Sequence, residues 1–102
     1  MKRERTDRQV LAAVRELQRK LDNWWTKPNA RALLTITAAP SADLAEIIIT
    51  VTATDSGATL QERRLDRNAK AWDLYRAGKT AASIAVSDAI GRYLEEHTTQ
   101  QA

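Results

Sequence analysis

The side chains that could do chemistry are few and poorly grouped. His97 is the single histidine, and cysteine is absent. One imidazole cannot build a zinc centre without thiolates or further histidines. Glu95 and Glu96 beside it project in other directions from a helix, so no metal ligand set is expected. His97 itself reads as a surface residue of a last helical turn, where a cation suits the dipole. Four serines, Ser41, Ser56, Ser83 and Ser87, lack a nearby base pattern, and no G-x-S-x-G elbow occurs. The triplet "GKT" at 78–80 invites a phosphate loop. That loop needs another glycine five positions before Gly78, so that backbone amides can cradle phosphate. Asp73 stands there instead, a carboxylate where phosphate would crowd. The expectation is a protein that is not an enzyme, with no catalytic residue, no metal and no cofactor.

Binding is what remains. The net charge of +3 is unevenly spread. Residues 1–31 carry nine Lys/Arg against four Asp/Glu (+5), residues 32–58 carry three acids and no base (−3), and residues 59–102 carry seven bases and six acids (+1). Such asymmetry points to a polyanionic partner, against the plainer reading of solvated mixed-charge helices. The candidate nucleic-acid contacts are Arg63, Arg64, Arg67, Lys70, Lys79 and Arg92, with Glu62 and Asp66 interleaved among the first four. The candidate protein-partner contacts are Trp24 and Trp25 in "NWW", because tryptophan is enriched at binding hot spots. The alternative for Trp25 is that it closes the end of a sheet.

These residues need elements to carry them. Length sets one small domain, 1–102, with 1–5 and 98–102 expected to fray. Residues 5–26 read as a helix capped by Thr6 or Asp7. Val10, Val14, Leu17, Leu21 and Trp24 recur at spacings of 4, 3, 4 and 3, Glu16 and Lys20 form an i,i+4 pair, and Pro28 ends the element. Two alternating strands follow, 32–39 and 45–55, joined by "PSAD". Then "DSG" makes a tight turn with Gly57 free to take positive φ, and 58–65 reads as a third, charged edge strand or as a helical start. A helix from Arg67 to Ala77, capped by Asp66, with Leu65, Ala69 and Trp72 on one side and Ala71, Leu74 and Tyr75 broadening it, is expected to end at Gly78. A second runs from a Thr80 cap to about His97, with Ala82, Ala85/Val86, Ala89/Ile90, Tyr93/Leu94 and His97 as its stripe. The fold class is therefore α+β: a long N-terminal helix, an antiparallel two- to three-stranded meander and a C-terminal helical pair.

Two likenesses bear on function. "AWDLYRAGKTAASIAVSDAIGRYLEEH" resembles a helix-turn-helix segment, in which the second helix would carry Arg92 and Asp88 toward base edges. It departs from that motif where Ala85 runs straight into Val86, and one continuous helix is easier. The order helix, three-stranded meander, helix resembles, in topology alone, that of double-stranded RNA-binding domains and of the later part of ribosome-hibernation factors; the basic cluster that this likeness implies at the start of the last helix is diluted here, with Arg63, Arg64, Arg67 and Lys70 interleaved with Glu62 and Asp66.

The expected function is a small, cytoplasmic, non-enzymatic nucleic-acid-binding protein acting as a homodimer. The alternatives are a protein-binding inhibitor or adaptor using the tryptophans, and a structural subunit of an assembly. No apolar run approaches the ~20 residues of a membrane span. Thr35, Thr37, Thr50, Thr52 and Thr54 should share one sheet face. Leu33 and Ile48 intrude on it, suggesting a second copy as its cover.

Overall fold

A computed structural model describes residues 4–25 and 33–100, with side chains described as far as residue 88. Its elements are helix α1 (Asp7–Trp24), strands β1 (Leu34–Pro40), β2 (Glu46–Ala53) and β3 (Thr59–Asp66), and helix α2 (Ala71–Gln100). The strands form one antiparallel sheet in the order β1-β2-β3. The α+β class with a helix, a meander and a C-terminal helix is thus as the sequence predicts.

Helix α1 starts at Thr6. Its hydroxyl accepts from the Gln9 N–H at 3.2 Å while the Gln9 side chain accepts from the Thr6 N–H at 2.9 Å. This reciprocal box satisfies two donors that have no partner within the helix. Val10, Val14, Leu17 and Leu21 of the predicted stripe are buried, and Trp24 and Trp25 pack at its end. Glu16 pairs with Arg19 rather than with Lys20, and this contact lowers the Glu16 pKa and raises that of Arg19. The expected terminator, Pro28, lies outside the described residues.

The period of two decides the sheet. Leu34, Ile36, Ala38, Ile47, Ile49 and Val51 are all buried on one face, with both helices over it. On the other face Thr35 stands opposite Thr52, and Thr37 opposite Thr50. The Thr35 and Thr54 hydroxyls lie 3.1 Å apart. The β1–β2 loop is held by its own side chains. Ser41 donates to Asp43 at 2.7 Å and accepts from the Glu46 N–H at 3.0 Å, and Asp43 also accepts from the Ala45 N–H. The Ser41 hydroxyl, then the Ala45 amide, hold the Asp43 pKa below its ordinary value. Gly57 takes φ +72° as expected, and Leu44, at φ 60°, does the same without glycine's freedom.

The C-terminal pair is one helix. Three expectations change there. Asp66 ends β3 instead of capping a helix from Arg67. It stands opposite Glu46, the Arg67 N–H bonds the Ala45 carbonyl at 3.1 Å, and α2 begins only at Ala71. Gly78 is not a helix end, and Thr80 caps nothing; both lie inside α2. Gly78 is buried against Leu21, and a Cβ placed there would meet Leu21 Cδ2 at 2.8 Å. The glycine lets two helices approach, and the alanines at 81, 82 and 85 carry the helix straight through. A helix-turn-helix is therefore not present in α2. Among the described residues, no helix is long and apolar enough to cross a membrane.

Candidate functional site

The two arginines central to the predicted basic cluster are split by the strand itself. Arg63 stands opposite Ile49 on the helix-covered face, and Arg64 opposite Ile48 on the threonine face. Arg64 lies between two carboxylates, 3.3 Å from Glu62 and 3.5 Å from Glu46, and Glu62 first of all keeps its pKa above the ordinary value. Arg63 donates back to the Glu62 carbonyl at 3.1 Å.

Arg67 is spent on the fold. Its side chain is 24% exposed and lies 3.1 Å from Asp7. It also donates to the Arg5 carbonyl, while Arg5 donates to the carbonyls of Arg67 at 2.8 Å and Ala69 at 2.5 Å. The two arginines form a reciprocal clasp between the start of α1 and the β3–α2 junction. Arg5 thus holds the chain at a place where the sequence suggests fraying. Lys70 is exposed beside this clasp. The Arg92 side chain lies outside the described residues, as does that of His97.

A different cluster is assembled where the helices meet. Lys79 Nζ sits 4.8 Å from the Tyr75 ring and 5.7 Å from the Trp24 ring, a cation held between two π faces. Trp24 lies 5.5 Å from Trp25, and Tyr75 meets Trp72 edge-on at 6.2 Å. Trp72 is 64% exposed. The sequence places Trp72 on the apolar side of this helix, with Leu74 broadening it. Leu74 is buried as expected, whereas Trp72 turns outward with Arg76 and Lys79 at i+4 and i+7 on one side of α2. Arg76 is exposed and Lys79 half-buried. A notch of about 150 Å³ lies between the helices, lined by Ala13, Glu16, Leu17 and Lys20 of α1 and Ala71 and Leu74 of α2.

Of the two tryptophans proposed as partner anchors, Trp25 is mainly structural. It is half-buried against the core, and its indole N–H donates to the Leu34 carbonyl at 3.1 Å, on the outer edge of β1. Trp25→Phe is expected to lose that bond together with part of the ring's packing, costing about 1 kcal/mol or more in a urea titration. An unchanged midpoint would mean that the indole hydrogen bond to Leu34 adds nothing to stability.

No group of histidine, cysteine, aspartate and glutamate that could hold a metal occurs among the described residues. Comparison with protein families, curated proteins and solved structures finds no match to this chain.

Proposed function

We propose that this chain is a non-enzymatic nucleic-acid-binding protein whose contact surface is the aromatic and cationic strip of Trp72, Tyr75, Arg76 and Lys79, extended onto α1 by Trp24 and Lys20. One observation carries the reading. A largely exposed tryptophan shares a helical side with two cations, one of them pinned between rings. Aromatic faces and fixed cations are the two groups that nucleic-acid surfaces combine. The overall basicity of the chain, at a pI of about 9.6, works in the same direction.

This moves the interface away from the expected Arg63, Arg64 and Arg67. Two of those three have carboxylate partners, and the pair in β3 faces opposite ways. A homodimer formed over the threonine face would leave the strip free, since the helices lie on the other side of the sheet.

The test is fluorescence anisotropy with duplex DNA, single-stranded DNA and duplex RNA at low salt. Arg76→Glu is expected to weaken binding about tenfold or more, and affinity should fall with salt. Arg64→Gln is expected to change it little. Absence of binding to every probe at low salt would remove the reading. In that case the exposed Trp72 would point to a protein partner, the second use of such an anchor.

A further inference from the structure

From the geometry of this strip we infer that its ligand is a single strand, and that the free face of Trp72 stacks on an unpaired base. The inference rests on the nucleic-acid reading above and narrows it.

The rings and the cation are set out in sequence along the surface. Trp72 lies 6.2 Å from Tyr75, and Tyr75 lies 4.8 Å from the Lys79 ammonium. The Trp72 ring and the Lys79 charge are therefore no more than about 11 Å apart by those two distances. That span suits a base and the phosphate of an adjoining nucleotide. Tyr75 meets Trp72 in a T-shaped contact with the rings inclined at 60°, and the 64% exposure of Trp72 leaves indole surface open to a flat ligand. Lys79 already lies against Tyr75 and Trp24, at 4.8 and 5.7 Å, which restricts its side chain before phosphate arrives and lowers the freedom lost on binding. Arg76, one turn from Trp72, supplies a second phosphate contact.

A duplex fits this surface poorly. Its base faces are covered by their neighbours, so Trp72 could reach one only by forcing a base step apart. Reading a duplex from the major groove instead needs a helix whose outer side offers several donors to base edges. Beyond Lys79 the exposed positions of α2 are Thr80, Ser83, Ile84, Ser87 and Asp88; their hydroxyls can donate singly, but none of these described residues is an Arg, Lys, Asn or Gln able to make a specific two-point base contact. An unpaired base offers its π face with no such cost, and stacking tolerates any base.

The experiment compares a 12-nucleotide oligothymidylate with a self-complementary hairpin duplex of the same charge, by anisotropy at low and moderate salt. Wild type is expected to bind the single strand at least tenfold more tightly. Trp72→Ala should weaken single-strand binding about 5- to 150-fold, the loss of one base–aromatic stack. Trp72→Phe should retain most of the affinity. The far-ultraviolet circular dichroism and melting temperature of both variants check that the fold is intact, as the exposure of Trp72 leads one to expect. With about two phosphates neutralised, the logarithm of the affinity should fall against the logarithm of salt with a slope near −1.4.

Equal affinity for the duplex would overturn the inference and leave the nucleic-acid reading standing. So would single-strand binding that Trp72→Ala leaves unchanged. Failure of all probes to bind at low salt would overturn both.

Discussion

Gly78→Val is expected to cost about 3 kcal/mol of stability, the upper part of the range for overpacked cores. For a domain of 102 residues that is a shift of very roughly 10–20 °C in melting temperature. The cause is local and named. A Cβ at position 78 would lie 2.8 Å from Leu21 Cδ2 and 3.0 Å from Leu21 Cδ1, and Leu21 is completely buried. A leucine tip at the surface could swing away. This one is enclosed by the sheet and by α2, so the helices must part instead. Gly78→Ala is the finer probe. Alanine is the better helix former by ~1 kcal/mol, and that gain offsets part of the clash, leaving a net loss of about 1 kcal/mol.

The decisive measurement is a double-mutant cycle in urea. Leu21→Ala alone should cost about 2–5 kcal/mol, because it empties a buried site. In the Gly78→Ala background it should cost less, since the added methyl enters the space vacated by Leu21. The coupling should be about 0.5–3 kcal/mol in magnitude. Strict additivity would mean that residues 21 and 78 do not touch. A helix-terminating glycine would give that result, since its cost lies in its own backbone and is indifferent to Leu21.

The same residue shows where the sequence stops being legible. Glycine ends helices and also lets helices meet, and nothing within 78–80 distinguishes the two uses. The deciding neighbour, Leu21, lies 57 positions earlier in the chain. The core side of α2 is similarly veiled. Ala82 and Ala85 of the expected stripe are buried, as is Leu74, but Gly78 and Ala81 join them without a large side chain to mark the place, and the ring of Trp72, expected on the same side as Leu65 and Ala69, is exposed. The strands of the β1–β2 hairpin were open to reading because Leu34, Ile36, Ile47, Ile49 and Val51 alternate with polar residues, and alternation alone selects a face. Stripes at 10, 14, 17 and 21 did the same for α1. The period of two also holds the correction to the basic cluster. Adjacent strand residues point apart, so Arg63 and Arg64 could share a face only if that segment were not a strand. Ion pairing to Glu46 and Asp7 is a matter of tertiary neighbours, and no spacing along the chain announces it.

Gln18→Glu is expected to destabilise the protein by about 1–3 kcal/mol at neutral pH and by far less in acid, although it changes one atom. Sequence reasoning gave Gln18 no role. In the fold it seals the outer edge of β1. Its Oε1 accepts from the Ala38 N–H at 2.7 Å, and its Nε2 donates to the Ile36 carbonyl at 3.0 Å and to Asp22 at 3.0 Å. The Trp25 indole covers the Leu34 carbonyl on the same edge, and Pro40, lacking an N–H, ends it. A side chain thus replaces part of the missing neighbouring strand, a device that keeps a sheet edge from pairing with other chains. A carboxylate at this position retains the bond from Ala38 but sets an acceptor against the Ile36 carbonyl and against the Asp22 carboxylate. Protonation restores a donor there. The folded state therefore raises the pKa of the introduced carboxyl above its unfolded value of about 4.3. For a group shifted in that direction, its protonated form is favoured by folding, so stability is retained below the unfolded pKa and lost as pH rises through the folded one. Urea midpoints of wild type and variant should differ little at pH 4 and clearly at pH 7. A gap of the same size at both pH values would show that Ile36 and Asp22 do not need the proton of the amide. Gln18→Leu removes the edge bonds at every pH, and its deficit should be pH-independent. With those β1 groups uncovered, its mass by light scattering should rise with concentration beyond that of wild type. A mass that tracks wild type at every concentration would mean that Trp25 and Pro40 guard the edge without help.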